Sequence, residues 1–415
     1  MHPTSLAFKD RARSAVTDAQ LQRALLNMKP GFQQRRAGTV AKLPEFEDLR
    51  EQARQIKNHT LANLDTYLTR FEERVTAAGG TVHWARTGRE ACEAIAAICS
   101  RAGARTVTKG KSMVAEEIGL NDHLESLGLT VVETDLGEYI IQLRHELPSH
   151  IIAPALHLVK QQVADTFREQ HSQFEANRPL VEPRELTDEA RTVLREKFLA
   201  ADVGITGANF LIAETGQTVI VTNEGNGDLT QTLPRVHIVI SSIEKAVPTL
   251  EDVSVILRIL ARSATGQEFS AYTTFSSGPK RSDDLDGPEE FHVVLLDNGR
   301  SAVLGTEAEE TLRCIRCGAC MNHCPVYGAV GGHAYGWVVP GPIGGALDPA
   351  LIGLSEARHL PNASTFCGRC ESVCPMKIPL TKIMRHWRVK EFESGLTPAS
   401  YRRGLRLWAW AARRP

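Results

Sequence analysis

Cys314-Ile315-Arg316-Cys317-Gly318-Ala319-Cys320-Met321-Asn322-His323-Cys324-Pro325 and Cys367-Gly368-Arg369-Cys370-Glu371-Ser372-Val373-Cys374-Pro375 hold seven of the nine cysteines in this chain. A four-iron cubane needs soft anionic donors placed tetrahedrally around it, and thiolates satisfy that need. Two intervening residues let Cys314, Cys317 and Cys320 turn inward on one loop, and the proline after each run ends the turn rigidly. Zinc sites favour cysteines separated into two pairs rather than three close steps followed by x3-Cys-Pro. The spacing predicts iron-sulfur clusters in an electron-carrying chain.

In the bacterial two-cluster arrangement, the fourth cysteine of each run binds the other run's cluster. By that rule one cluster takes Cys314, Cys317, Cys320 and Cys374. The other takes Cys324, Cys367 and Cys370, one ligand short, and the missing cysteine would fall at Ser364. Three solutions stay open for it: a [3Fe-4S] cluster, a [4Fe-4S] cluster with an open or hydroxyl-ligated corner, or a carboxylate or histidine from elsewhere. His323 reads either as a residue tuning a cluster by hydrogen bonding or as a solvent-facing loop residue. Cys92 and Cys99 lie in an apolar helical stretch and read as buried, inert thiols.

Outward from the cysteines, the 415 residues suggest two or three units, with a large early domain and a small late one. Lys and Arg number 48 against 49 Asp and Glu, so no global field attracts nucleic acid. Reduced thiols at ligand spacing, no export signal at the start and no apolar run of about 20 residues point to a cytoplasmic protein without a transmembrane segment.

Residues 5–29 and 46–78 read as helices, broken apart by Pro30-Gly31 and the polar segment up to Pro44. From residue 80, strands near 81–84, 105–108 and 129–133 alternate with helices near 89–101 and 112–127. Residues 151–199 read as mainly helical, interrupted by Pro179 and Pro183. Strands follow near 203–206, 210–212, 218–221 and 237–240, then a helix at 250–263 and a strong strand at 291–296 ending in the turn Asp297-Asn298-Gly299. Alternation of this kind predicts an α/β domain with a mostly parallel sheet. A short helix from Glu307 to Arg313 enters the first cysteine run. The glycines between the runs permit close backbone approach.

Within the α/β part, Lys109-Gly110-Lys111-Ser112 lacks the upstream glycine of a phosphate-binding loop, yet Lys109 or Lys111 would favour an anion after a strand. Glu214 and Glu224 flank glycine-rich turns in which Gly216, Gly225 and Gly227 read as turn formers. The crevice near Lys109, Lys111 and Glu214 is a candidate place for an organic substrate. No flavin or dinucleotide fingerprint is present, and no nucleophile-base-acid set names a reaction.

Ile205-Thr206-Gly207-Ala208, Ile212-Ala213-Glu214-Thr215-Gly216, Thr222-Asn223-Glu224-Gly225-Asn226, Asp286-Gly287-Pro288-Glu289-Glu290-Phe291, Gly331-Gly332-His333-Ala334-Tyr335-Gly336 and Gly341-Pro342-Ile343-Gly344, together with both cysteine runs, resemble the lactate-utilisation iron-sulfur protein B family over about residues 10–395. The resemblance implies a cytoplasmic electron-transfer component of a multiprotein system oxidising L-lactate to pyruvate. Its partners would be a cysteine-rich redox protein and a second lactate-utilisation-domain protein. It implies an α/β domain similar to the sugar-phosphate isomerase and formyltetrahydrofolate cyclo-ligase fold, and the same seven cysteine ligands, with the second site short of one. The division expected is a helical arm at 1–74, the α/β lactate-utilisation domain at 75–300, a C-terminal α-helical two-cluster ferredoxin-type domain at 301–390 and a short tail at 391–415. Members of that family typically continue into a longer C-terminal domain.

Two other functions compete: the catalytic lactate dehydrogenase subunit itself, and a redox-sensing, metabolite-binding regulator. The region from Lys382 onward is basic, with only Glu391 and Glu393 opposing nine lysines and arginines. Trp387, Trp408 and Trp410 beside those arginines suit an interface helix, with peripheral membrane contact as one outcome.

Overall fold

The computed structural model describes residues 3–414. Its strands are β1 (Thr81–Ala85), β2 (Thr106–Lys109), β3 (Thr130–Glu133), β4 (Val203–Gly207), β5 (Phe210–Ile212), β6 (Gln217–Thr222), β7 (Val236–Ser242), β8 (Ala246–Val247), β9 (Tyr272–Ser276) and β10 (Glu290–Leu296). Six of them form a parallel sheet in the order β1-β10-β7-β4-β2-β3.

The apolar runs that predict β7 and β10 are covered on both faces, as a parallel sheet requires. Val236, Ile238 and Ile240 face one way and pack with Ile95, Ile98 and Cys99 of the helix Gly88–Arg101. Val239, Phe291 and Val293 face the other way, against Leu68, Phe71 and Val75 of the helix Leu64–Ala77. Cys92 and Cys99 are buried in this packing, and burial pushes both thiols up to about 11, which keeps them inert.

Gly204, in β4, is where the sheet tolerates least. A Cβ there would lie 1.8 Å from the Thr230 carbonyl oxygen, a backbone atom that cannot swing aside. Gly204→Ala is expected to lower the unfolding free energy by about 3 kcal/mol, at the upper end of overpacking costs. Chemical denaturation checks this, and an unshifted midpoint would contradict it.

The second sheet, ordered β8-β5-β6-β9, is mixed. The expected strands β5 and β6 form an antiparallel hairpin in it, closed by Gly216 at φ +72°. β8 and β9 were not anticipated. β9 is a largely exposed edge, so its residues carry no alternating burial signal.

Other expectations need correcting. Pro30-Gly31 does not break the chain: it sits in the first turn of a π-helical segment, Lys29–Gln34, that runs into the helix Arg35–Ala41. A first-turn proline forfeits no intrahelical hydrogen bond. Pro183 likewise starts the helix Pro183–Leu199 instead of interrupting one, while residues 151–159 and 171–182 are not helical. The helix expected over 112–127 divides at Gly119, whose φ of +66° ends Met113–Ile118. Gly227 lies inside the helix Asn226–Thr232 and forms no turn.

The N-terminal helices pack inward. Phe46, Leu49 and Ala53 of the helix Phe46–Ala62 share one apolar core with Val253 and Ile256 of the helix Leu250–Ala264, and that core continues to Cys317, Cys320 and Tyr327. The cysteine-bearing region is thus joined to the sheet-bearing region by continuous packing. No described helix is long and apolar enough to cross a membrane.

Candidate iron-sulfur module and adjoining cleft

Each cysteine run is bent by two left-handed residues. Arg316 at φ +58° and Gly318 at φ +72° bracket Cys317, and Phe366 at φ +55° and Gly368 at φ +75° bracket Cys367. A short helix follows in each case, Ala319–Asn322 and Arg369–Val373, carrying Cys320 and Cys370. A non-glycine residue in this region costs backbone energy, here spent on turning consecutive sulfurs toward one point.

The bends bring the expected residues together. Cys314, Cys317, Cys320 and Cys374 line one small cavity closed by Ile151, Ile343 and Met376. Cys374 therefore reaches across from the second run. Burial pushes the Cys320 thiol well up, reinforced by Cys314, Cys317 and Cys374. Cys317 is raised by the same causes, burial first and then Cys374 and Cys314. Such thiolates repel one another in a dry site, and a cationic metal core is the partner that would hold them deprotonated. The donor set fits an iron-sulfur cluster.

Cys324, Cys367 and Cys370 form a second electrostatic group: Cys324 is raised by burial and then by Cys367, and Cys370 is pushed up to about 12 by burial and then by Cys324. This group lies nearer solvent, because Cys367 is exposed while Cys317 and Cys320 are buried.

Polar contacts from distant elements fix these loops. Arg50, 7% exposed, donates from Nε and Nη2 to the Cys374 carbonyl at 3.0 and 2.6 Å. Arg36 donates to the Val373 carbonyl at 3.0 Å and Gln33 to the Asn322 carbonyl at 2.7 Å. His150 accepts from Ile152 N and Ala153 N at Nδ1, so its Nε2 carries the proton and donates to Asn322 Oδ1 at 2.9 Å. Its ring packs against Gly318, and burial holds it neutral, its pKa lowered to about 3. Nothing in the local sequence around Arg50 or His150 marks them for this role. His323 is buried rather than solvent-facing, with Nδ1 2.9 Å from the Ala319 carbonyl oxygen. Trp387 is also turned inward, donating to the Ala346 carbonyl at 2.8 Å. Only Trp408 and Trp410 of the three tryptophans stay exposed, on the helix Ala399–Ala412.

Against the first run lies a cleft of about 270 Å³, lined on one side by Gly110, Lys111, Gly207 and Asn209 and on the other by Ile315, Arg316 and Cys317. It opens at the carboxyl ends of β2 and β4. From β2 the chain turns outward to β3, and from β4 it turns the opposite way to β7 and β10, so this is a topological switch point, where parallel sheets place ligands.

Of the three residues expected at the substrate crevice, Lys109 and Glu214 need correction, and with Lys109 goes one of the two lysines expected to favour an anion. Lys109 is fully buried and bonded to Glu116 and Glu133 at 3.0 and 2.7 Å, so its charge is already spent. Burial alone would lower its pKa, but Glu133 and then Glu116 outweigh burial and raise it. Glu214 points away, accepting from Leu250 N at 3.3 Å at the start of a helix. Lys111 and Glu224 do line the cleft, joined by Lys245 and Arg300, which sequence inspection passed over.

Two family models match: a LUD domain over residues 68–296 and a 4Fe-4S dicluster domain over residues 310–378, the latter indicating two iron-sulfur clusters. The uncharacterized electron transport protein YkgF of Escherichia coli (strain K12) is 44% identical, over 98% of this chain and 85% of its own length. Lactate utilization protein B of Macrococcus caseolyticus is 44% identical over 98% of this chain and 84% of its own, and that of Bacillus subtilis 43% identical over 98% and 84%. A crystal structure of a DUF162 family protein from Deinococcus radiodurans covers 56% of this chain and 98% of its own, at 16% identity and a TM-score of 0.31.

Proposed function

The chain belongs to the lactate utilization protein B family, a LUD domain joined to a 4Fe-4S dicluster domain, and from that premise we propose that it is the iron-sulfur electron-transfer component of a multiprotein system oxidising L-lactate to pyruvate. The observation that carries this reading is the convergence of Cys374 with Cys314, Cys317 and Cys320 on one buried cavity beside a metabolite-sized cleft.

Cys314, Cys317, Cys320 and Cys374 would hold one cluster, and Cys324, Cys367 and Cys370 would supply three ligands to the other. Bound there, the clusters supply one-electron steps, since each changes charge by one. Ile151, Ile343 and Met376 close the inner cysteine cavity, and Arg50 holds the crossing Cys374 loop in place. The exposed Cys367 brings the outer site to the surface, where a partner can exchange electrons. With clusters held there, the module would offer electrons a route between the cleft side and the surface side.

The partners in this reading are a cysteine-rich redox protein and a second LUD-domain protein, in the cytoplasm. The α/β region is read as a relative of the sugar-phosphate isomerase and formyltetrahydrofolate cyclo-ligase fold, in the four-part division at residues 74, 300 and 390.

A second reading, the dehydrogenase subunit itself, is favoured by one fact: Cys317 lines both the cleft and the inner cysteine cavity. Anaerobic isolation separates the two. The chain is expected to hold about eight iron atoms with matching acid-labile sulfide, and L-lactate is expected to reduce it only when the partner proteins are present. Reduction of an artificial acceptor by L-lactate with the chain alone supports the second reading. Zinc in place of iron defeats both.

A further inference from the structure

We propose that the cleft between the strand ends and the first cysteine run binds a small organic monocarboxylate, gripped by Lys245 with Arg316 beside it. This rests on the lactate-linked reading above and assigns it a binding site. Lys245 follows β7 in the short turn Ile243–Lys245 and is 7% exposed, its remaining surface opening into the cleft. Among the described residues, no carboxylate pairs with its ammonium and no acceptor hydrogen-bonds to it; the negative groups that bear on it are Glu244, which is directed to Arg300 Nε at 3.0 Å, and the Cys314 thiolate. An ammonium withdrawn from water without a partner is costly, and an anion in the cleft would relieve that cost. Arg316 is only partly paired. Its Nη2 lies 3.9 Å from Glu244, and its Nη1 is buried with no partner.

The ligand class follows from charge and size. Lys111, Lys245, Arg300 and Arg316 are balanced by Glu117, Asp135 and Glu224 in the lining and by Glu244 behind it. Because the lining is already close to charge-neutral, it takes one further negative charge more readily than the two or more of a phosphate, and Lys245 is the cation placed to meet it. Ile151, Ile315 and Val339 supply an apolar wall beside them. A carboxylate with a short aliphatic body suits a space of about 270 Å³.

The test is isothermal titration calorimetry on the anaerobic, cluster-loaded chain with L-lactate, pyruvate and inorganic phosphate. Saturable binding of L-lactate or pyruvate is expected, weakened about tenfold or more in Lys245→Met and retained in Lys245→Arg. It should be unchanged in Lys42→Met, whose lysine is exposed and paired with Glu268. Cluster spectra identical to wild type certify that the variants are folded. Absent carboxylate binding, tighter binding of phosphate, or undiminished binding in Lys245→Met overturns the proposal. The electron-relay reading survives such a failure if partner proteins still reduce the clusters with L-lactate, so the two fail separately.

The two cysteine runs are also conformational copies at a constant offset of 50: residues 314, 317, 320 and 324 correspond to 364, 367, 370 and 374. The copy extends to the position where the second run has no cysteine. Cys314 Sγ accepts from the backbone N–H of Arg316 at 3.4 Å, and Ser364 Oγ accepts from that of Phe366 at 3.1 Å. Gly318 and Gly368 share φ and ψ, at 72° and −3° against 75° and −3°. We infer that Ser364 Oγ is the fourth ligand of the outer cluster. Ligation forms an oxygen–iron bond and releases the hydroxyl proton to solvent, with no change in electron count.

Ser364→Ala is expected to lose one iron from the outer site and to show an oxidised three-iron signal by electron paramagnetic resonance, with the inner site unaltered. Ser364→Cys is expected to keep all irons and to shift the outer site's potential. Spectra and iron content of Ser364→Ala that match wild type, or a wild-type outer site already holding three irons, would overturn the assignment. A wild-type chain with no iron at all sinks the cluster reading itself, which is a different result.

Discussion

In Cys374→Ala, iron is expected to fall from about eight to about four atoms per chain, and the signal lost should be the one that Cys314→Ala removes. The two residues lie in different runs, so a shared phenotype is a strong statement about the fold. Cys374 lines the same cavity as Cys314, Cys317 and Cys320, and its backbone carbonyl is held there by two bonds from buried Arg50. With one of four thiolates gone, the inner site keeps three donors in an apolar pocket that admits little water to replace the fourth. Cys324→Ala should remove the other signal, as should Cys370→Ala. Because cluster binding stabilises the folded chain, Cys374→Ala should also unfold at lower temperature than wild type. Cys374→Ser serves as a milder variant if alanine yields no folded protein. Should Cys374→Ala erase the signal lost in Cys367→Ala and Cys370→Ala, each run would build its own cluster and the crossed assignment would be wrong.

Cysteine spacing was legible because cluster ligation is local chemistry: three sulfurs on one loop must follow one another at short steps. The strands β7 and β10 were legible for a related reason, since burial on both faces leaves continuous apolar runs that few other elements produce. Legibility failed where a residue's role depends on a partner distant in sequence. Lys109 looked free because Glu133 belongs to a neighbouring strand, and Glu214 looked aimed at a crevice because the helix start it caps comes 36 residues later. Lys245 showed nothing in Ser242-Ile243-Glu244-Lys245 to separate it from an ordinary surface lysine; its setting comes from Cys314 and Arg316 of the first cysteine run, far along the chain. Pro30 and Pro183 misled in the same direction, since proline at a helix start and proline inside a helix look alike without the capping geometry.

Arg300→Met is expected to destabilise the chain by about 3–5 kcal/mol, the cost of leaving buried charge unpaired. Arg300 is 1% exposed and sits beneath the cleft. It donates to Glu117 from Nη1 and Nη2 at 3.0 and 2.7 Å, and its Nε faces Glu244 at 3.0 Å. Methionine fills similar space but leaves two buried carboxylates facing each other's field. Burial alone would push the Glu244 carboxyl up; Arg300, then Lys245 and Arg316, outweigh it and hold it at about 2. A carboxyl lowered in the folded state stabilises above its unfolded pKa of about 4.3, and that stability drains away as pH falls toward 2. Without Arg300 the folded-state value rises, so the variant should begin to lose its deficit relative to wild type as pH drops below about 5, where protonation neutralises the stranded acids. Denaturation midpoints measured from pH 7 to pH 4 test this: the gap between the two proteins should narrow with acid. The double variant Arg300→Met with Glu117→Gln should recover part of the loss at pH 7, because one stranded charge is gone. A gap that is constant with pH, with no recovery in the double variant, would mean that Arg300 acts through packing alone and that the floor of the cleft is not an electrostatic structure.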